Sequence, residues 1–515
     1  MNYQELTALA KNKFKLENLK PFQQNIINDF LQGHDVLLIS PTGSGKSLCY
    51  QLPAIIMPGT LIVISPLIAL MQDQVDKLKN LNIAAECLHS ELAKEVQQAI
   101  LASIQAQKTK ILFIAPERLL QGWFLNFLKQ QTISGFAIDE AHCLLHWGLD
   151  FRPEYQELHK IKTLFPHVAI MALTATANPK QQQQIIQQLN IVAKKHIHAM
   201  HRPNISYELI NNSNYQKLLS LCSRHAKQPG IIYASSRKRV DNIHGFLQKN
   251  GYLALKYHAG MDINDKNYHL RQFLSSNEHI MVATVAFGMG VDKANVRYVI
   301  HADVPGRFDQ LVQEIGRVGR DGLAAHSYLL FNPAQFLEFN FWRLQKSRPD
   351  SFADLLAEFQ EVAFFLHSHH CYTQLIAQYF EDHSMEGCNN CNRCQNKHVN
   401  TIVDEDIIKL LSCIYRLQQH ATHKNLINVM QGVCKKHYKL STFGIGQHKS
   451  AYYWHNLITQ IFAKKLIKIN NQQTMTWSLT AQAAALLKNY NGKHCELSSR
   501  SALKIASSKD LRSSS

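Results

Sequence analysis

No stretch of this 515-residue sequence reaches the roughly 18 consecutive apolar residues needed to cross a bilayer, and Met1–Asn25 lacks the apolar centre of a secretory signal. These two absences predict a cytoplasmic protein with no membrane partner. Cysteine is scarce. Of 11 cysteines, seven stand alone at Cys49, Cys87, Cys143, Cys222, Cys413, Cys434 and Cys495, which excludes a disulfide-stapled secreted scaffold. Acidic residues are in short supply, 38 against 55 Lys and Arg, for a formal charge of +17. The shortage is concentrated: residues 401–515 hold five acids against 16 Lys and Arg. Such a segment attracts polyanions, because neutralising phosphates releases condensed counterions. A solvated, lysine-rich surface would look the same from charge alone.

Hydrophobic residues supply 46 % of the chain, and at about 150 residues per domain its length corresponds to three or four domains. Short apolar runs recur at Val36–Ile39, Leu61–Ile64, Ile111–Ile114, Phe136–Ile138 and Ala169–Leu173. A second series follows at Gly230–Tyr233, Ile280–Ala283, Val299–His301 and Tyr328–Phe331. Continuous rather than alternating runs predict parallel strands covered by helices on both faces, hence two α/β domains split near Arg202–Ser206. From about residue 335 the pattern turns helical. The last compact segment reads as three helices and a hairpin, Leu466–Ile469 and Thr474–Leu479 flanking the turn-prone Asn470–Asn471. Ser498–Ser515 is serine-rich and is expected to be disordered.

Two patterns carry chemistry. Ser40-Pro41-Thr42-Gly43-Ser44-Gly45-Lys46-Ser47 lies between an apolar strand and an expected helix. Glycines let backbone N–H groups close around a phosphate, Lys46 would reach the β/γ-phosphates of a nucleotide, and the Ser47 hydroxyl would coordinate Mg²⁺. The strict pattern has glycine where Ser40 stands, and an ordinary glycine loop is the plain alternative. Asp139-Glu140-Ala141-His142 follows another apolar strand. Ligands gather at the carboxyl ends of such strands, so Asp139 could hold the metal and Glu140 activate a water.

With Leu173-Thr174-Ala175-Thr176-Ala177 downstream, this set resembles a superfamily 2 helicase, and Trp147-Gly148-Leu149-Asp150-Phe151-Arg152-Pro153-Glu154-Tyr155 resembles the aromatic-rich loop of the RecQ family. Trp147 and Phe151 offer faces for unstacked bases, and Arg152 a charge for phosphate; a hydrophobic loop tucked into a core is the alternative. Leu19-Lys20-Pro21-Phe22-Gln23 resembles the family's nucleotide-base motif, in which Gln23 reads adenine. Ala283-Thr284-Val285-Ala286-Phe287-Gly288-Met289-Gly290-Val291-Asp292 resembles motif V, so Gly290 and Asp292 are implied nucleotide contacts. Gln313-Glu314-Ile315-Gly316-Arg317-Val318-Gly319-Arg320 resembles motif VI. Arg317 and Arg320, read as lying at a helix start, would stabilise charge at the γ-phosphate as arginine fingers, or either could serve a structural ion pair.

The chain departs from the family at five places, one being His146 where the family has glutamine. Leu149 replaces a histidine, Lys20 an arginine, Leu16 an aromatic and Val318 an alanine. Lysine lacks the planar fork of arginine, so weaker adenine contact is expected.

Cys388-Asn389-Asn390-Cys391-Asn392-Arg393-Cys394, with Cys371 upstream, offers four thiolates for a closed tetrahedral Zn²⁺ site. His369, His370 and His383 are rival ligands and a disulfide is the redox alternative; the resemblance implies that the four cysteines bind. Residues 405–490 resemble the family's winged-helix domain through Leu440–Gly446 and Ser450–Trp454.

The resemblance therefore implies two tandem RecA-like parallel-sheet domains (1–203 and 204–334), a helical zinc-binding module (335–400), a winged-helix domain (401–490) and a tail (491–515). It implies a short form without the helical HRDC domain. ATP, Mg²⁺ and Zn²⁺ are the implied cofactors. Single-stranded and branched duplex DNA are the implied partners, a single-stranded DNA-binding protein is a further one, and a bacterial member would be nucleoid-associated. An RNA helicase and a DNA-binding scaffold with an idle ATPase are the competing readings.

Overall fold

The computed structural model describes residues 3–41, 43–66, 68–145, 153–198, 201–211, 214–287, 293–382, 385–395, 404–433 and 435–491. A first sheet contains Asp35–Ile39 (β1), Thr60–Ile64 (β2), Ala85–Leu88 (β3), Ile111–Ile114 (β4), Ile133–Ile138 (β5), Ile170–Thr174 (β6) and Ala193–Ile197 (β7). Its order is β3-β4-β2-β5-β6-β1-β7, parallel throughout. A second sheet contains Ile205–Asn211 (β8), Gly230–Tyr233 (β9), Ala254–Tyr257 (β10), Ile280–Ala283 (β11), Tyr298–His301 (β12) and Ala325–Phe331 (β13). Its order is β10-β11-β9-β12-β13-β8, again all parallel.

The central strands are buried at nearly every position and mostly apolar because both faces are covered. In β1, Leu37 and Ile39 enter one apolar core while Val36 and Leu38 enter another across the sheet. The second sheet divides likewise: Ile231 and Val299 face one core, Ile232 and Ile300 the other. Because all strands of a sheet run one way, the loops leaving their carboxyl ends are collected on one edge.

After β13, Asn332 accepts from the amides of Ala334 and Gln335 and caps the helix Pro333–Lys346. Helices Phe352–His367, Tyr372–Tyr379 and Asn392–Gln395 complete a helical module. Helices Asp404–Arg416, His423–Met430 and Ala451–Ala463 then lead to an antiparallel hairpin, Ile467–Ile469 (β14) and Trp477–Leu479 (β15). A helix Ala481–Asn491 follows. This winged-helix unit is docked on the module through aromatic rings: Phe359 to Phe462 at 4.6 Å and Phe341 to Trp477 at 5.3 Å between centroids. Among the described residues no helix is long and apolar enough to cross a membrane.

Candidate functional site

Three adjacent strands, β5, β6 and β1, deliver the chemistry to one edge of the first sheet. Asp139 follows β5, Thr174 ends β6 and Ser40 follows β1. Backbone bonds weld the three exits together: Ser40 N to Thr174 O at 3.1 Å, Ala141 N to Leu173 O at 2.8 Å, and Asp139 N to Ile64 O of β2 at 2.9 Å.

The phosphate loop turns through Gly43 (φ +80°) and Gly45 (φ +95°), conformations that side chains with a Cβ rarely adopt. Lys46 Nζ donates to the carbonyls of Ser40 (2.9 Å) and Pro41 (3.2 Å). Ser40, the departure from the strict pattern, is buried and donates its hydroxyl to Ser44 Oγ at 2.7 Å, so it braces the loop from inside. Ser47 sits at the N-cap of the helix Leu48–Ile56. Burial lowers the Lys46 pKa, while Glu140 and Asp139 oppose that change. Burial, reinforced by Glu140, raises the Asp139 pKa, and Lys46 opposes it.

Glu140 is held at φ +50°, in the left-handed region, and its Oε2 is buried without a hydrogen-bond partner among the described residues. His142 Nδ1 lies 3.4 Å from that oxygen and 2.9 Å from Thr174 Oγ1, which also accepts from Thr176 N at 3.1 Å. A buried ammonium beside two carboxylates, one oxygen of which is orphaned, fits a metal-bound triphosphate: phosphate answers the amine, and a cation or water answers the acids.

Lys20 and Gln23 also converge on the phosphate loop. Lys20 Nζ donates to Ser44 O at 3.0 Å and Gln23 Nε2 to Gly45 O at 3.1 Å, while Gln23 Oε1 accepts from Lys20 N at 2.9 Å. Leu16 remains 40 % exposed beside them in sequence.

From the second domain, the helix Phe308–Ile315 ends immediately before Arg317 and Arg320. The expected helix start is therefore a helix end, because Gly316 and the left-handed Gly319 (φ +56°) break the pattern there. Only Arg320 crosses to the phosphate loop: a Cβ on Gly43 would lie 3.5 Å from Arg320 Cγ. Its positive charge also depresses the Lys46 pKa. Arg317 is buried and its charge acts on Tyr233 of its own domain, whose hydroxyl donates to Phe287 O at 3.2 Å.

Two residues missed by the sequence reading brace this turn. Arg202 donates to the carbonyls of Gly316 (3.1 Å) and Gly319 (2.6 Å), and Asn204 donates to Gly319 O at 2.9 Å. Their only sequence signal was position, at the junction between the two strand series.

The four cysteines meet. Cys371, Cys388, Cys391 and Cys394 place their sulfurs within 4.8 Å of one another, with Cys371 3.3 Å from Cys388 and 3.9 Å from Cys391. A tetrahedral zinc with Zn–S of about 2.3 Å requires sulfurs about 3.8 Å apart, so the set fits. His369 and His370 are not among the converging group. Arg393 holds the segment down by donating to Phe365 O (2.7 Å) and Leu366 O (2.9 Å), with its guanidinium 3.7 Å from the centroid of the Tyr372 ring. Thr42, Trp147, Phe151, Arg152, Gly290, Asp292 and His383 lie outside the described residues.

Comparison with known proteins agrees with this geometry segment by segment. Residues 20–185 match the DEAD/DEAH box helicase family, 213–322 the helicase conserved C-terminal domain and 402–502 the RQC domain. The chain is 36 % identical over 495 residues to the ATP-dependent DNA helicase RecQ of Haemophilus influenzae, covering 94 % of this chain and 80 % of that one. It is 32 % identical over 491 residues to the Bacillus subtilis protein of the same name (93 % and 83 %). A putative ATP-dependent RNA helicase of Acanthamoeba polyphaga mimivirus is 31 % identical over 523 residues (95 % of each chain). In fold, the chain resembles the DUF1998 helicase MrfA bound to DNA, with a TM-score of 0.54, 18 % identity, and 70 % of this chain and 57 % of that one covered. A nucleotide-type cleft between two parallel sheets, a four-cysteine module and an RQC domain thus follow one another in a single chain. With relatives of that name matched along most of their own length, it belongs to the RecQ family of ATP-dependent DNA helicases.

Proposed function

We propose that this chain is a Mg-ATP-driven 3′–5′ helicase that opens tailed, forked or branched duplex DNA in repair and recombination. One observation carries the reading: Arg320 of the second domain lies against Gly43 of the phosphate loop, so a single nucleotide would touch both domains. When bound, Mg-ATP supplies a γ-phosphoryl group for transfer to water. Lys46 and the amides of Thr42–Ser47 would hold the phosphates, and Ser47 with Asp139 would hold the metal. Glu140 would take the proton of the attacking water, and its orphaned, buried oxygen suits that task. Arg320, with Arg317, would meet the charge that develops on the far side, drawing the cleft shut; hydrolysis would release it. Gln23 and Lys20 would sit at the base, and Gly290 and Asp292 would contribute from the second domain.

Strand grip is assigned to Trp147, Phe151 and Arg152 and to the basic winged helix, with the domain bounds given from the sequence. Cys371, Cys388, Cys391 and Cys394 would bind one structural Zn²⁺. A single-stranded DNA-binding protein is a proposed partner, and the cytoplasm (the nucleoid in a bacterium) the proposed location. The Asp-Glu-Ala-His box and one relative's name favour RNA as a second reading.

The test is strand separation on duplexes with a 3′ or a 5′ tail, in DNA and in RNA, with and without ATP. ATP-dependent opening of the 3′-tailed DNA alone is expected. Preference for the 5′ tail or for RNA would overturn the assignment.

A further inference from the structure

Outside the set of nucleotide residues named above, three parts of the chain meet around one acid, Asp309. It lies in the first turn of the helix Phe308–Ile315, whose far end leads to Arg320, and it is 5 % exposed. Arg307 grips both its oxygens, Nε to Oδ1 at 3.0 Å and Nη2 to Oδ2. The same guanidinium is 3.7 Å from Glu358 of the helical module, and Glu358 in turn is paired with Arg343 at 3.0 Å. Arg343 also donates to Gly306 O at 2.7 Å; a Cβ on Gly306 would overlap that guanidinium. A chain of charged bonds thus fastens the arginine-bearing helix to the module that carries the cysteines.

The first domain touches this chain differently. Gln181, just beyond Thr174–Ala177, donates to Asp309 Oδ2 at 3.4 Å, and Asn178 donates to Tyr379 OH at 3.2 Å. The Gln181 bond is long and single, whereas the Arg307–Asp309 pair is bidentate with both partners charged. Beside an exposed ion pair of Lys180 with Asp354 at 2.7 Å, the Gln181 contact is thus the weaker side of the junction and the Arg307–Glu358–Arg343 side the stronger. The junction is also electrostatically linked to the nucleotide site: the charges of Asp309 and Arg307 both act on the buried His142. A third acid, Glu361, is pushed up to about 7 by burial and by Glu358 and Asp309, so the cluster is rich in carboxylate.

Resting on the helicase reading above, we infer that Asp309 is a positioning residue for ATP turnover. It fixes the helix that leads to Arg320 to the helical module and, while the Gln181 contact holds, carries cleft closure in the first domain to the module and the winged helix docked on it. Asp309 does not touch the nucleotide in this scheme. Its part is to make hydrolysis and strand separation one event.

The test compares wild type, Gln181→Ala, Asp309→Asn and Asp309→Glu as full chains, reading kcat and KM of the DNA-stimulated ATPase and the ATP consumed per duplex opened. Asp309→Asn is expected to lower kcat about fivefold with KM for ATP within about twofold, and to raise ATP consumed per duplex about fivefold, the low end for site-to-site coupling. Asp309→Glu should restore both. Gln181→Ala should raise ATP per duplex while its DNA-free ATPase stays at the wild-type rate. If Asp309→Asn fails to fold, Gln181→Ala and Asp309→Glu decide. Wild-type ratios in Gln181→Ala, or in a folded Asp309→Asn, would overturn the inference. A wild type that hydrolyses ATP but opens no duplex would count against the helicase reading instead, and the kcat arm would still decide this one.

Discussion

Arg320 and Gly43 meet across the gap between the two parallel sheets, the arginine stem lying in van der Waals reach, 3.5 Å, of where a Cβ on that glycine would stand. The contact puts the guanidinium of one domain next to the phosphate loop of the other, whereas Arg317 is turned to Tyr233. The two arginines should therefore not be equivalent. Arg320→Ala is expected to lower kcat for ATP by about 10³ with a smaller change in KM, as for loss of an arginine finger. Arg317→Ala should instead lower thermal stability as well, since it removes a buried side chain packed beside Tyr233. Steady-state ATPase and melting curves on both variants check this; equal kcat losses with equal melting points would refute the division of labour.

Which parts of the fold were legible in the sequence follows from where each strand sits. All nine apolar runs coincide with strands, seven of them to within a residue; β5 and β13 begin three residues earlier, at Ile133 and Ala325. The four strands the pattern does not reveal, β3, β7, β8 and β10, are the four sheet edges. An edge strand is covered less completely, so it need not be apolar throughout: β7 reads Ala-Lys-Lys-His-Ile with no buried residue, and β8 alternates. The phosphate loop and the acids were legible because their chemistry is local in sequence. The Arg202 brace on Gly316 and the Gln181 contact to Asp309 were not, because each joins residues more than a hundred positions apart and ordinary polar residues supply them.

The base side of the nucleotide site is expected to be loose. Lys20 spends its ammonium on Ser44 O, and Leu16, an aliphatic residue 40 % exposed, stands where the family has an aromatic. Leu16→Tyr combined with Lys20→Arg should lower the apparent KM for ATP about threefold to tenfold, the worth of one stacked ring, with kcat unchanged. ATP titrations of the ATPase decide it. An unchanged KM would mean that neither departure weakens the grip on adenine.

The cysteine cluster should carry one zinc per chain, and Cys391, fully buried, should be its least replaceable ligand. Metal analysis is expected to give about one equivalent, released by thiol-modifying reagents. Cys391→Ser should lose the metal and loosen the segment that reaches the second sheet through Asn392 and Leu209 O (3.2 Å). Full zinc occupancy in Cys391→Ser, or zinc well below one equivalent in folded wild type, would contradict a four-thiolate site.

Acid should weaken the seam between the helical module and the winged helix at His367. The Thr459 hydroxyl donates to Asn456 O at 2.8 Å, so it accepts from His367 Nε2–H at 2.7 Å, which a neutral imidazole supplies. Burial, aided by the positive charges of Arg393 and Lys464, holds the His367 pKa down at about 3, against 6.5 in an unfolded chain. A folded-state value below the unfolded one means the stabilisation is complete above pH 6.5 and is lost as pH falls through that window toward 3. Between pH 6.5 and pH 5 the loss should be roughly 1–2 kcal/mol. His367→Gln keeps an N–H for Thr459 but cannot take up the proton. Urea midpoints of the two proteins, followed by the fluorescence of the buried Trp454 and Trp477, should therefore converge between pH 7.5 and pH 5. Parallel curves would mean that the imidazole carries no proton-linked energy at this seam, and that the aromatic packing of Phe341, Phe359, Phe462 and Trp477 alone holds the winged helix in place.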